Sequence, residues 1–351
     1  MNKVKQLSKE LNFIRASSNK YGGAERYLSR LVEALRKQNI PHKIVYSRFP
    51  NFLPSWLRII LFNIQVLLFK KNKFYFSLER ITCPDIYRAG DGVHKIFLQT
   101  QNKSILNPLH PIYLFLEKKC FHNAKFIIAN SHMVKNQIIN SYGISPNKIK
   151  VVYSGIEAKE SDYHGSFDRL SKEFLLEQNE FIFLYVGSGF KRKGVKQFIE
   201  IISKLEKVNI KAFVIGKEKN FEYYLNLVEN LGLRDKVIFT GPREDVNDFY
   251  NISDIFILPT HYEPFSNVIL EALQSMNVVF TTKQNGASEI LDDQYIMKTP
   301  DDLSILNIIN ALFDDKAMLE KVKRDNRILS KKFSIEKNLH ETLEIINEAI
   351  N

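Results

Sequence analysis

FIFLYVGSGFKRKGVKQFIEIISKLEK (181–207) opens with an almost unbroken apolar run, Phe181 to Val186, which suits a parallel strand covered on both faces. A glycine-flanked basic loop follows, GSGFKRKG (187–194), and then a helical pattern from Gly194 to Lys207. Strand, glycine loop and helix in that order form the opening unit of a doubly wound α/β domain. In such domains ligands collect outside the carboxyl ends of the strands.

The alternation extends both ways from this stretch. Downstream, KAFVIGK (211–217), KVIFTG (236–241), DIFILPT (254–260) and NVVFTTK (277–283) read as strands with helices between them, 221–233 among these. Two polar helical stretches, 316–331 and 335–350, end the chain. Upstream, ELNFIR (10–15), HKIVYS (42–47), FYFSLE (74–79), AKFIIANS (124–131) and IKVVYSG (149–155) read as strands. Helical patterns at 24–38, 56–69, 110–122 and 133–143 separate them, and CPDIYRAGDGVH (83–94) reads as a loop. EAKESDYHGSFD (157–168), poor in apolar residues and rich in charge, reads as the linker. The fold class is therefore α/β, with two Rossmann-like doubly wound blocks.

Size and composition agree. A chain of 351 residues, 44% apolar and 25% charged, suits two globular domains rather than disorder. Two cysteines, Cys83 and Cys120, are too few for a disulfide framework and fit a reducing cytosol. MNKVKQLSKELNFIR has no apolar core of a signal peptide. WLRIILFNIQVLLF (56–69) is shorter than the roughly 20 residues of a spanning helix and reads first as a core helix covering the sheet.

Charge is unevenly placed. Residues 1–157 hold 25 Lys and Arg against 8 Asp and Glu, a net of +17, whereas the rest of the chain is net −6. Such a first half suits an anionic partner: nucleic acid, anionic lipid or a phosphorylated acceptor. A nucleic-acid binder should interleave its cations with exposed aromatics in a known module, and none is legible, so no nucleic-acid partner is expected. Lys70, Lys71 and Lys73, with Lys118 and Lys119, are the cations best placed for an anionic membrane; Trp56 and Phe62 are candidate interfacial contacts.

Three loops carry chemistry. RASSNKYGGAER (15–26) follows the first strand and brings Gly22 and Gly23 to a helix start, a place suited to an anion. It is not GxGxxG, which argues against a nicotinamide-dependent oxidoreductase. In GSGFKRKG, Lys191, Arg192 and Lys193 crowd together, and a diphosphate would relieve their repulsion. In HYEPFSNVILEAL (261–273), Glu263 precedes a helix starting near Ser266 and Glu271 lies inside it. Carboxylates repel phosphate but accept hydrogen bonds from sugar hydroxyls. Amides of Phe265, Ser266 and Asn267 supply further donors. Cations for a diphosphate beside acceptors for hydroxyls complement a nucleotide sugar.

These residues resemble the retaining GT-B glycosyltransferases of family 4: E-x7-E at Glu263 and Glu271, the Arg-Lys loop after the first strand of the second domain, and GG after the first strand of the chain. VGSGFKRKGV and YRAGDGVH are most similar to the lipopolysaccharide core glucosyltransferase I type. The resemblance implies two Rossmann-like domains facing a central cleft. The first is an acceptor-side domain at 1–157, to which helix 335–351 crosses back; the second is a nucleotide-sugar domain at 158–334. It implies that Glu271 holds the ribose, that Glu263 faces the donor sugar, and that Arg192 and Lys193 neutralise the leaving diphosphate. It places Gly22, Gly23, Gly187, Pro264, Phe265, Ser266, Asn267 and Gly286 around the donor, with Arg243 near the base and Asp91 and His94 on the loop facing the sugar or acceptor. Ser266 stands where family members commonly have glycine, and the glucosyltransferase I type has no histidine matching His94.

The reaction so implied is retaining transfer of a hexose, with UDP-glucose as donor and a glycolipid such as the lipopolysaccharide core as acceptor. A different nucleotide sugar serving another glycan or a lipid-linked oligosaccharide is the alternative. No Asp-x-Asp stands where it would hold a metal, so no metal or other cofactor is expected. The expected place is the cytoplasm, peripherally on the inner face of the cytoplasmic membrane.

Overall fold

The computed structural model describes residues 10–16, 23–101, 106–206 and 209–350. The chain divides into two compact units, Met1–Ser154 with Ile335–Asn351, and Gly155–Ser334. The division falls after Ser154 rather than after Glu157.

Unit 1 runs β1 (Glu10–Ile14), α1 (Gly23–Lys37), β2 (His42–Val45), α2 (Ser55–Leu68), β3 (Lys73–Ser77), β4 (Ile86–Ala89), α3 (His94–Thr100), α4 (Leu109–Asn123), β5 (Phe126–Ala129), α5 (His132–Tyr142) and β6 (Ile149–Val151). Its strands form one parallel sheet ordered β2-β1-β3-β4-β5-β6. The two-residue period of a strand sorts the core. Phe74 and Phe76 join Leu11, Phe13 and α1 on one face, while Tyr75 joins Ile14, Phe62 and Val66 on the other.

Unit 2 runs α6 (Tyr163–Phe174), β7 (Phe181–Val186), α7 (Phe190–Lys193), α8 (Val195–Ser203), β8 (Ile210–Ile215), α9 (Phe221–Asn230), β9 (Val237–Gly241), α10 (Val246–Ile252), β10 (Ile255–Leu258), α11 (Asn267–Gln274), β11 (Val278–Thr282), β12 (Ile296–Met297), α12 (Ile305–Asp314) and α13 (Lys316–Ser330). Its parallel sheet is ordered β12-β11-β10-β7-β8-β9. β7 is central and buried along nearly its whole length, as its apolar run requires. The chain winds from β7 out to β9, then returns to β10 on the other side. The gap between the ends of β7 and β10 is therefore the topological switch point of this sheet.

The last helix, α14 (Ile335–Ile350), belongs to unit 1. Leu343, Ile345, Ile346 and Ala349 enter the α1 face of that core. Tyr27 and Thr342 share a buried hydroxyl hydrogen bond of 3.1 Å, and Lys125 Nζ donates to the Ala349 carbonyl at 2.8 Å.

Three expectations are corrected. First, 83–94 is not all loop, because IYRA forms β4 in the middle of the sheet. A four-residue strand containing Arg88 is too short and polar to announce itself; Arg88 is accommodated by laying its guanidinium 3.7 Å from the Tyr27 ring centroid. Second, the polar 157–168 stretch is not a plain linker. Asp162 caps α6 by accepting from Gly165 N at 3.0 Å, and Arg169 and Ser166 tie α6 to Asp248 of α10. Third, α2 is core along one face only. Phe62 is buried and cannot meet a membrane, while Ile64, Leu67, Leu68 and Phe69 are exposed. Lys70 is also spoken for, paired with Asp85 and lying over the Tyr75 ring. No helix among the described residues is long and apolar enough to cross a membrane.

Candidate donor site and the loop after β4

All strands of unit 2 are parallel, so the loops after β7, β10 and β11 share one edge of the sheet. The loop after β7 turns through α7, which carries Lys191, Arg192 and Lys193, and reverses at Gly194. Gly194 has φ +80°, and a Cβ there would collide with the Pro259 carbonyl oxygen. Only glycine lets this loop close on the end of β10. The seam is then stitched by His261 N donating to Arg192 O at 2.9 Å and Thr260 Oγ1 donating to the same carbonyl at 3.1 Å. Gly187 has a related role: a Cβ there would press on the aliphatic stem of Lys193.

With the seam closed, Arg192 Nη1 donates to Glu263 Oε2 at 2.7 Å and to the Tyr262 carbonyl at 2.8 Å. Lys193 Nζ lies 3.5 Å from the same carboxylate oxygen. The anion that relieves the crowded cations is thus Glu263 itself. Glu263 is held by its backbone as well, donating from N to Gln284 O and accepting from Gly286 N, each at 2.9 Å. Gly286 is placed by the buried Asn285, which accepts from Ala287 N at 3.1 Å and donates to Thr281 Oγ1 at 3.0 Å.

The sequence-predicted residues sort accordingly. Arg192, Lys193, Glu263, Gly187 and Gly286 come together at the switch point. Pro264, Phe265 and Ser266 lead into α11, and Asn267 is its first residue. Ser266 is buried at the N-cap in an extended conformation, without a capping bond from its hydroxyl. Glu271, on α11, accepts a hydrogen bond from Tyr250 OH at 3.2 Å and takes no part in the Arg192 cluster. Arg243, after the edge strand β9, is not brought into that cluster. Its guanidinium is shared by Glu173 at 2.6 Å and Asp245 at 2.7 Å and stands 5.3 Å from the Phe249 ring. Gly22 lies outside the described residues, and Gly23 is the first residue of α1.

Asp91 and His94 sit on the loop after β4 in unit 1. Asp91 is exposed, and its charge acts on Arg15, Glu79 and Arg80. His94 is half-buried between Phe97, Tyr113 and His110, with its Nε2 3.2 Å from His110 Nδ1. Burial first, and then the Arg80 guanidinium, lower its pKa to about 4. This loop is organised by two residues that motif reading passed over. Glu117, fully buried in α4, accepts from Arg80 Nε at 2.9 Å, His94 N at 2.7 Å, Lys95 N at 3.3 Å and Tyr142 OH at 2.6 Å. Arg80 Nη2 also donates to Gly92 O at 3.1 Å. Glu117 therefore satisfies the first amides of α3 and fixes where Asp91 and His94 stand. Its only sequence signal is a lone Glu in the apolar run YLFLEKKCF, which also reads as a solvated position.

Among the described residues no group of three or more His, Cys, Asp or Glu is placed to hold a metal ion.

Comparison with known proteins agrees with this architecture. Residues 166–328 match the family described as Glycosyl transferases group 1, and residues 87–160 match Glycosyltransferase Family 4. The capsular polysaccharide biosynthesis glycosyltransferase CapM of Staphylococcus aureus is 32% identical over 235 residues, 62% of this chain and 59% of CapM. The lipopolysaccharide glucosyltransferase WaaG of Escherichia coli is 32% identical over 121 residues, 34% of this chain and 32% of WaaG. A Campylobacter jejuni N-acetylgalactosaminyltransferase named for a diphospho-undecaprenol acceptor is 22% identical over 302 residues, 85% of this chain and 74% of that protein. The chain spans only about half the length of several curated relatives that it matches: 59% of CapM, and 44% and 51% of two further relatives. The crystal structure of WaaG superposes with a TM-score of 0.79 at 19% identity, covering 96% of this chain and 99% of WaaG. Anabaena HepE in complex with UDP superposes at 0.75 and 18%, covering 97% and 100%. These likenesses establish the GT-B fold: two parallel six-stranded sheets clothed in helices.

Proposed function

Since residues 166–328 belong to the glycosyl transferases group 1 family and residues 87–160 to glycosyltransferase family 4, we propose that the chain transfers a hexose from a nucleotide diphosphate sugar to a glycolipid acceptor with retention at the anomeric carbon. The observation that carries the reading is the convergence of Arg192, Lys193 and Glu263 at the switch point between β7 and β10. Two cations there can receive the charge that develops on a departing diphosphate, a preorganised stabilisation that needs no metal. Glu263, once released from them, faces the donor sugar, and Glu271, held by Tyr250, is the ribose acceptor. UDP-glucose is the donor we favour, on the likeness of the GSGFKRKG and RAGDGVH loops to the lipopolysaccharide core glucosyltransferase I type. The basic first half of the chain supports a peripheral position on an anionic membrane, at the cytoplasmic face where nucleotide sugars are available.

A lipid-linked oligosaccharide is the second reading of the acceptor. It is favoured by the Campylobacter jejuni relative, whose alignment covers 85% of this chain.

Calorimetric titration with UDP, GDP, ADP and NAD, chelator present, tests the donor site. Saturable UDP binding that weakens about tenfold in Glu271→Ala is the expected result, a loss of the size of one hydrogen bond to a charged group. Binding of NAD alone, or of no nucleotide, rejects the reading.

A further inference from the structure

A helix on the surface of a soluble domain shows one apolar face and one polar face. α2 departs from that rule. Its inner face supplies Phe62, Asn63, Gln65 and Val66 to unit 1, yet its outer face is also apolar. Leu67 is 56% exposed, Leu68 72% and Phe69 50%. Beside it, α4 presents Phe115, 57% exposed. Between the two helices lies an open groove of about 500 Å³ lined by Ile60, Ile64, Leu67, Pro111, Ile112 and Phe115. The polar groups at its floor are already engaged. Asn63 Oδ1 accepts from Thr82 N at 3.0 Å, and Asn63 Nδ2 donates to Ile59 O at 3.2 Å. The groove therefore offers water very little and a hydrocarbon chain a great deal.

Its charge frame is one-signed. Residues 34–78 hold eight Lys and Arg and no Asp or Glu. Arg48 stands 5.4 Å and Lys73 5.8 Å from the Phe69 ring, Lys119 stands 6.0 Å from the Phe115 ring, and Lys71 is exposed. The carboxylates that flank this stretch and those that follow it are engaged elsewhere: Glu33 by Lys37, Glu79 by Arg15, Asp85 by Lys70, and Glu117 by Arg80 inside the unit. An apolar slot in a cationic rim matches an anionic headgroup with its attached chain. A second copy of this chain would bring the same cations against these, and like charges across an interface disfavour it.

We propose that the α2–α4 face seats unit 1 on the leaflet of an anionic membrane, with one hydrocarbon chain of a lipid in the groove and its phosphate among Arg48, Lys71, Lys73 and Lys119. This gives the glycolipid acceptor a surface to be drawn from and in that sense rests on the transferase reading. Its test reads binding alone, so either can fail without the other.

Trp56, the chain's single tryptophan, lies at the start of α2 and reports on this face. The full chain is mixed with phosphatidylcholine vesicles, with and without phosphatidylglycerol, the acyl chains being brominated in a parallel set. Binding to the anionic vesicles, with Trp56 fluorescence quenched by acyl-chain bromine, is the expected result. Ile64→Asp with Leu67→Asp, at exposed positions, should abolish the quenching and leave the thermal melt unchanged. Lys71→Glu with Lys73→Glu should lower anionic-vesicle binding about tenfold or more at low salt. Three outcomes overturn the proposal: no vesicle binding; binding without chain quenching and indifferent to the groove substitutions; or a concentration-dependent dimer in sedimentation that the groove substitutions dissociate, with no vesicle binding.

Discussion

The carboxylate of Glu263 accepts a hydrogen bond from Arg192 Nη1 at 2.7 Å, across the seam between the loops that follow β7 and β10. A cation suited to a diphosphate is thereby occupied by a carboxylate suited to a sugar. Donor binding must exchange one anion for another. Glu263→Gln removes the resident anion and keeps the shape. Nucleoside diphosphate should then bind as tightly as before or several-fold tighter, about 1 kcal/mol at most for a partly exposed pair, while sugar transfer falls. Titration calorimetry with UDP decides this. Weaker binding would mean that Glu263 helps rather than competes.

Arg192→Ala with Lys193→Ala leaves Glu263 without its partners and the diphosphate without its counter-charge. Turnover should fall by about 10²–10³-fold, the usual cost of losing preorganised charge stabilisation. The fold should persist, because both side chains are partly exposed and lie at a loop. Initial rates beside a thermal melt separate the two effects; unimpaired turnover would end the diphosphate assignment.

Glu117→Ala removes the carboxylate with which the largely buried Arg80 pairs, and it orphans the first amides of α3. Breaking a buried pair by deleting one partner costs about 3–5 kcal/mol. Urea unfolding should show a loss of that order. A loss under about 1 kcal/mol, the range of an exposed pair, would mean that water replaces the carboxylate and that the loop after β4 does not depend on it.

His94 gives the molecule an acid-sensitive spot. Its pKa in the folded chain is lowered to about 4, against about 6.5 for a free imidazole. Between these values the unfolded chain binds the extra proton, so stability is whole above about pH 6.5 and declines as the pH falls toward about 4. Denaturant titrations across that window should show the decline in the wild type and a flatter profile in His94→Gln. Equal slopes would place the acid sensitivity elsewhere.

Much of this was legible in the order of residues. Continuous apolar runs such as FIFLYV and IFIL, short and bounded by polar, glycine or proline residues, suit strands buried on both faces, and the glycine-flanked loop between strand and helix points to a parallel doubly wound block. The side chains that follow a strand must then lie at its carboxyl end. That reasoning brought Arg192, Lys193 and Glu263 to one edge, and the family resemblance added Gly286. It faltered where local composition and tertiary use part company. β4 is four residues with an arginine, and α6 begins in a polar stretch whose helix is secured by Asp162 and by Asp248, far away in sequence.

What sequence by itself determined, then, is the alternation of elements and the loops at which chemistry can occur, because both follow from local period and backbone chirality. Tertiary structure alone decided the partners. That β10 lies beside β7 depends on strand order, and only this adjacency joins Arg192 to a carboxylate 71 residues away. That Glu117 serves His94 and not water, and that Ile64, Leu67 and Leu68 on the outer face of α2 stay exposed, depend likewise on which helix packs on which sheet. Contacts between distant residues set the environment of each side chain, and a local pattern carries no record of them.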